Sequence, residues 1–322
     1  MIVALAGGVG AARMLGGLVS VVDPGDITAV VNTGDDTVMH GLHISPDLDT
    51  VTYTLAGMIN PETGWGLRDE SWAAMAELRA YSGGRLGWFN LGDRDLGTHL
   101  YRTTRLLEGA PLSDVVAEVA ARWGVGVRLL PMSDERVETR VVIDDGSGPG
   151  REVAFQEYFV RARHDVPVRA VEVVGAAEAR PAPGVLEAVA GADTVLICPS
   201  NPVLSIGPVL ATGGREGIGA AVQARRDVTV AVSPIIAGRA LKGPADRVLA
   251  ELGHEPSVVG VARMWAPYAA TLVIDEADAG LAPEVEAAGM AAVVGPTVMS
   301  GPAEAAALAR MVLAAGPAGR RP

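Results

Sequence analysis

Five apolar residues, Ile2 to Ala6, run straight into Gly7-Gly8-Val9-Gly10. An amphipathic stretch from about Ala11 to Val21 follows, and then a second apolar run, Ile27 to Val31. Strand, glycine turn, helix and strand in this order make a β-α-β unit, whose two strands are parallel. The glycines let the backbone approach a ligand, and the helix N-terminus offers unpaired N–H groups to an anion. Tight strand-to-helix packing would explain the same glycines. No Gly-Lys-Ser/Thr follows, so this is not a Walker-type phosphate loop. Arg13 stands where a dinucleotide fingerprint has its third glycine, and the second strand ends in Asn32 rather than an acid, which disfavours a nicotinamide dehydrogenase.

The stretch from Ala29 to Thr50, AVVNTGDDTVMHGLHISPDLDT, carries the chemistry. It leaves the second strand at Asn32-Thr33-Gly34 and places Asp35, Asp36, Asp47 and Asp49 within one loop and the start of the next helix. Ser45 reads as the N-cap and Pro46 as the first helical residue. Carboxylates after a strand, facing others at a helix N-terminus, can hold a hard cation such as Mg²⁺ through oxygen. A solvated Asp35-Asp36 turn, with Asp47 and Asp49 opposing the helix dipole, accounts for the same residues. His40 and His43 lie in this oxygen-rich loop, which suits loop hydrogen bonding better than zinc.

Further helices are expected over Leu48–Met58, Glu70–Tyr81, from about Asp95 through Arg105, and over Leu112–Trp123. Gly92-Asp93-Arg94-Asp95 precedes the third of these, as a polar ligand-ordering cluster or a self-paired surface cap. His99, inside that helix, reads as a packed or solvated helix residue. Val127–Pro131 reads as a strand, and Val137–Ile143 and Glu152–Phe155 flank DDGSGPG as a hairpin, with another strand at Val168–Val174. Strands at Thr194–Cys198, Val228–Val232, Thr271–Ile274 and Ala291–Val294 precede a closing helix, Pro302–Ala315. The expected fold is Rossmann-like: a single doubly wound α/β domain over 1–322 with a mostly parallel sheet and a smaller helical and hairpin insertion at about 60–170. In such a sheet the loops at the carboxyl ends of the strands share one crevice. The glycine turn, the acidic loop, Pro199–Pro202 and Ser233–Gly238 should therefore meet.

The 322 residues carry a net charge of −12, which argues against general nucleic-acid binding. An acidic protein handling a polyanion needs a local remedy: a metal, a helix N-terminus or a few arginines. The single cysteine, Cys198, lies in an apolar run, excludes an intrachain disulfide and fits a reducing cytoplasm. The N-terminus lacks the basic region of a signal peptide, and no apolar run is long enough to span a bilayer.

Taken in order, Gly7-Gly8-Val9-Gly10, Asn32-Thr33-Gly34-Asp35-Asp36, Ser45-Pro46-Asp47-Leu48-Asp49-Thr50, Leu91-Gly92-Asp93-Arg94-Asp95, Leu130-Pro131-Met132-Ser133-Asp134-Glu135, Pro199-Ser200-Asn201-Pro202, Ser205-Ile206-Gly207-Pro208 and Ser233-Pro234-Ile235-Ile236 resemble the 2-phospho-L-lactate transferase family of coenzyme F-420 biosynthesis. The resemblance spans nearly the whole chain and looks closest to the actinobacterial, phosphoenolpyruvate-using branch. It implies an enzyme that moves a phosphoenolpyruvyl or 2-phospho-L-lactyl group from a guanosine diphosphate donor. The acceptor is the ribityl hydroxyl of a deazaflavin, 7,8-didemethyl-8-hydroxy-5-deazariboflavin (Fo). GMP leaves, and the product is the tail-less coenzyme or its dehydro form. A cytoplasmic homodimer that passes its product to a glutamate ligase is also implied.

On this resemblance Asp35 and Asp49 are the catalytic pair and hold Mg²⁺, with Asp36 as an alternate ligand, and Asp49 also meets Fo. Gly8, Val9 and Gly10 offer N–H groups to phosphate. Ser200, Asn201 and Ser233 hold the guanosine end. Trp65, Trp88 and Arg94 are placed against Fo. Archaeal members carry a lysine where this chain has Asn90, so the Fo contact must be made differently here. The rival reading is a nucleotide-sugar-binding regulator of central metabolism with the same fold. Its acidic strand end typically continues into a Gly-Gly-Ser-Ser-Gly-Arg loop, which this chain lacks.

Overall fold

A computed structural model describes residues 1–146 and 148–316; the tail after Gly316, expected to fray, lies outside the described residues. Seven strands build the central sheet: β1 (Ile2–Ala6), β2 (Ile27–Val31), β3 (Arg128–Pro131), β4 (Thr194–Ile197), β5 (Thr229–Val232), β6 (Thr271–Ile274) and β7 (Ala291–Val294). Their order is β7-β6-β5-β4-β1-β2-β3, and every neighbouring pair is parallel. The chain winds outward from β1 to β3, returns to the other side of β1, and winds outward again to β7. β1 and β4 are thus neighbours whose connections leave in opposite directions. That is the switch point of a doubly wound sheet, where a ligand crevice opens.

Helices on both faces explain why the strands read as continuous apolar runs. All five residues of β1 are buried. Val3 and Leu5 enter the core on one face, while Ile2, Ala4 and Ala6 enter the core on the other. The expected strands match to within a residue or two. The helices that shape the crevice are α1 (Gly8–Leu18), α2 (Pro46–Leu55), α3 (Ala73–Ser82), α4 (Asp95–Leu107) and α5 (Leu112–Arg122).

The last four lie between β2 and β3. After β3 comes a three-stranded antiparallel sheet. Glu138–Ile143 pairs on one side with Arg151–Ala154, the expected hairpin, and on the other with Val168–Val174. The central sheet therefore takes β3 from the middle of the 60–170 stretch. One element had no periodic signal: a hairpin of three-residue strands, Thr37–Met39 and Leu42–Ile44. Its turn is His40-Gly41, with φ of 55° and 80°, the paired positive φ that tight hairpins use.

Candidate active site

At the switch point, α1 begins so close to the loop after β4 that a Cβ on Gly10 would lie 2.1 Å from the Pro199 carbonyl oxygen. Glycine is required there for packing. Gly8, at φ +71°, adopts a left-handed conformation that side chains disfavour. Ser200 Oγ donates to the Gly7 carbonyl at 2.7 Å and pins the two loops together. Asn201 Oδ1 accepts from the N–H groups of Val203 and Leu204, both at 3.0 Å. Ser233 Oγ donates to the Ile235 carbonyl and accepts from the Ile235 N–H. Much of the hydrogen-bonding capacity of these three side chains thus shapes the crevice wall.

A cleft of ≈ 670 Å³ opens from this point. Its lining includes Gly8, Val9, Gly10, Asp35, Asp49, Trp65, Trp88, Ser200, Asn201 and Ser233. Two of the residues anticipated for the site stand apart from that lining. Arg94 is exposed and its guanidinium donates to the Arg68 carbonyl at 3.2 Å. Asp36 lines a small adjoining recess with Gly34, Glu138 and Thr139, which shares Asp35, Phe155 and Gln156 with the cleft. Ser45, at the N-cap position of α2, uses its hydroxyl to donate to Asp36 at 2.6 Å instead of capping the helix. Burial pushes the Asp36 carboxyl well above the usual range, against that hydrogen bond and the charge of Arg102.

The carboxylates fall into two groups. In the first, Asn32 Nδ2 donates to Asp35 at 3.2 Å and to Asp47 at 3.0 Å, and its Oδ1 accepts from the Gly34 N–H. Burial, followed by the charges of Asp47 and Asp36, pushes Asp35 well above the carboxylate range. Burial also pushes Asp47 up to about 6, opposed by Asn32 and by the Gly8 N–H. Neither has a basic side chain within 4.0 Å among the described residues. Two buried carboxylates without a cationic partner, beside a glycine turn at a helix N-terminus, are a fitting donor set for a hard divalent cation.

The second group is closed by one salt bridge and the hydrogen bonds around it. Arg102 donates Nη1 to Asp49 Oδ2 at 3.1 Å and Nη2 to Asp49 Oδ1. His99 Nδ1 accepts from Arg102 at 3.3 Å, which leaves Nε2 to carry the ring proton, 3.3 Å from Asp95 Oδ2. Tyr53 donates to Asp95 Oδ1 at 2.6 Å. Burial pushes Asp95 up, but His99, Tyr53 and Arg102 outweigh it and hold its pKa below the usual value. One ligand atom from each of Asp49, Asp95 and His99 lies within 4.8 Å of the others. Within this group Asp49 already has a cationic partner in Arg102.

Asp95, His99 and Arg102 are one face of α4 at i, i+4 and i+7. That spacing was readable, but sequence reasoning gave no role to Arg102 or Tyr53, and it left Asp47 as an acidic-loop carboxylate or a helix-dipole acid without naming it as a ligand. The expected cluster at Asp93–Asp95 is divided between jobs. Asp93 accepts from the N–H groups of Ala73 and Ala74 at the start of α3. Glu70 returns the favour for α4, accepting from the N–H groups of Arg94 and Asp95. Asn90 accepts from Arg79.

Aromatic side chains contribute much of the cleft's apolar lining. Trp65 is 48% exposed and Trp72 47% exposed. Phe155 and Phe159 stack at 5.3 Å with 19° between planes. Trp88 meets Phe89 edge-on at 5.7 Å. All six line the cleft. Cys198 is buried behind the wall, where burial pushes its thiol up and makes it a core residue.

The model of the family described as "2-phospho-L-lactate transferase CofD" matches residues 2–292. The phosphoenolpyruvate transferase of Kitasatospora aureofaciens is 50% identical over 315 residues, 97% of each chain. That of Mycolicibacterium smegmatis is 47% identical over 284 residues, 85% of this chain and 86% of the other. Among solved structures, a Bacillus halodurans protein superposes with a TM-score of 0.61 at 16% identity, over 97% of this chain and 98% of that one, and so shares the fold.

Proposed function

The chain belongs to the 2-phospho-L-lactate transferase family, and from that premise we propose that it is an actinobacterial-type phosphoenolpyruvate transferase. It moves a phosphoenolpyruvyl (or 2-phospho-L-lactyl) group from a guanosine diphosphate donor to the ribityl hydroxyl of Fo. GMP is released, and a tail-less coenzyme F-420 or its dehydro form is the product. The reaction belongs to the cytoplasm and to a homodimer, and the product goes on to a ligase that adds glutamate. The supporting observation is the presence, in one cleft, of a glycine turn at a helix N-terminus, carboxylates without a cationic partner, and six aromatic side chains.

In this reading the donor lies across the switch point. The N–H groups at Gly8, Val9 and Gly10 receive phosphate oxygens, and the loops of Ser200, Asn201 and Ser233 hold the guanosine. Asp35 and Asp47 would hold Mg²⁺, and Asp49 and Asp36 are the further carboxylates that the family resemblance offers as ligands. When bound, the metal neutralises charge on the diphosphate. Asp49 turns its carboxylate toward the attacking hydroxyl, in an orientation that Arg102 fixes. Trp65 and Trp88 offer flat faces to the deazaflavin; Arg94, held on the Arg68 carbonyl outside the lining, takes no part in this reading. Displacement at phosphorus asks mainly for positioning and charge stabilisation, which these groups supply.

Purified protein with Mg²⁺, Fo and each donor in turn tests this, following GMP release and product mass. The donor that reacts identifies the branch. Asp35→Asn and Asp47→Asn should abolish the thermal stabilisation given by Mg²⁺ with GDP. Asp49→Asn should retain it and lose turnover. Nucleotide binding with no transfer from either donor would overturn the transferase reading in favour of a nucleotide sensor.

A further inference from the structure

The chain has 26 Lys and Arg residues, and Lys242 is the single lysine among them. It lies between the short strand Arg239–Ala240 and the helix Ala245–Glu251, and it lines the cleft. Five carboxylate side chains line that cleft: Asp35, Asp47, Asp49, Glu70 and Asp95. Only Arg13 and Lys242 bring a permanent positive charge to the lining. A cleft with this balance repels a diphosphate unless those two charges are well placed.

The two are used differently. Arg13 donates to the Met299 carbonyl at 3.3 Å and is tied to the opposite loop. Lys242 is exposed, and among the described residues no carboxylate lies within 4.0 Å of it. Its Nζ makes one long contact, 3.4 Å to the Thr63 carbonyl. Its position relative to the glycine turn is marked by Gly64. A Cβ added there would lie 3.3 Å from Lys242 Nζ and 3.1 Å from Val9 Cγ1. The ammonium and the glycine turn therefore meet across a single residue.

We propose that Lys242 receives the diphosphate of the donor. An anion laid on the N–H groups of Gly8 to Gly10 comes within reach of its ammonium, which gives up a weak carbonyl contact for a charged one. A compact ammonium on a flexible stem, with three donors, serves phosphate oxygens whose positions change during transfer. This inference rests on the proposed function, because it takes the donor to be a nucleoside diphosphate.

The chain's one ε-amine makes the test direct. Reductive methylation with ¹³C-formaldehyde labels Lys242 and the α-amino group of Met1, which is ion-paired to Asp193 at 2.7 Å. GDP with Mg²⁺ should shift the Lys242 dimethyl resonance, and guanosine should leave it unmoved. Lys242→Met should weaken GDP binding about tenfold or more, as expected for losing a charge-assisted contact, and less at high salt. Lys242→Arg should recover part of the loss, and guanosine binding should stay unchanged. GDP binding that moves nothing at Lys242, or full GDP affinity in Lys242→Met, would overturn the assignment while wild-type transfer left the transferase reading intact. Wild-type protein that binds no GDP would remove the donor reading and this inference with it.

Discussion

Arg102 closes two guanidinium nitrogens on the two carboxylate oxygens of Asp49, 53 positions away in sequence. Both side chains are buried, Arg102 at 2% and Asp49 at 6% exposure. Removing the arginine leaves a carboxylate stranded in the interior. Arg102→Met should therefore cost about 3–5 kcal/mol of stability, the usual penalty for breaking a buried pair, measured by urea unfolding. Arg102→Lys should not rescue turnover, because an ammonium cannot match the two-point geometry. Full activity in Arg102→Lys would show that Asp49 needs only a charge beside it.

Gly10→Ala should disrupt the switch point. The added methyl would meet the Pro199 carbonyl oxygen at 2.1 Å, and backbone on both sides leaves nothing cheap to move. Overpacking of this kind costs about 1–3 kcal/mol or more. GDP affinity should fall with stability, because the glycine turn and the Pro199–Asn201 loop are displaced together. A variant with wild-type melting temperature and GDP affinity would contradict this.

Glu70→Ala should loosen the start of α4. The carboxylate accepts from the N–H groups of Arg94 and Asp95 at 2.9 and 2.8 Å. Losing such a cap costs about 1 kcal/mol, seen as a lower denaturation midpoint at unchanged slope. Turnover should fall further than stability, because Asp95 anchors Tyr53 and His99 from that first turn. Glu70→Gln retains an acceptor and should lie between wild type and Glu70→Ala.

Asp275 supplies a pH signature. Burial pushes its carboxyl up, but the N–H groups of Thr297 and Ala277 and the Thr297 hydroxyl hold it below its ordinary 3.8. A folded-state pKa lower than the unfolded one stabilises above the unfolded value and loses that stabilisation as pH falls through the folded value. Wild-type stability should therefore drop on acidification below about 4 through this residue. Asp275→Asn should be less stable at pH 7 and show a shallower acid limb in thermal unfolding against pH.

Among these groups, Asp49 shows where reading a sequence stops. A carboxylate in the first turn of a helix after Ser-Pro is visible as a candidate ligand, but its partner is on α4, beyond two intervening loops. Nothing local to either segment announces that they meet. The same distance hid Asp47, which reads as a dipole-stabilising acid until Asn32 is seen to bridge it to Asp35. The Asp93–Asp95 cluster looked self-contained because its residues are adjacent. Its carboxylates instead serve two helices and a buried histidine.

Local chemistry was enough for the elements themselves. Continuous apolar runs beside glycine, Asn-Thr-Gly and Ser-Asn-Pro punctuation determined the strands and the edge at which their loops gather, because a parallel strand buried on both faces admits little else. The order of motifs along the chain determined the family. Tertiary structure decided which carboxylate has a cation partner and which lacks one, and that Asp36 bonds Ser45 outside the cleft lining. It also decided that one lysine stands beside the glycine turn. Those relations depend on distances between segments far apart in the chain, and burial there makes an unpaired charge costly, so contact and desolvation assign each group its role.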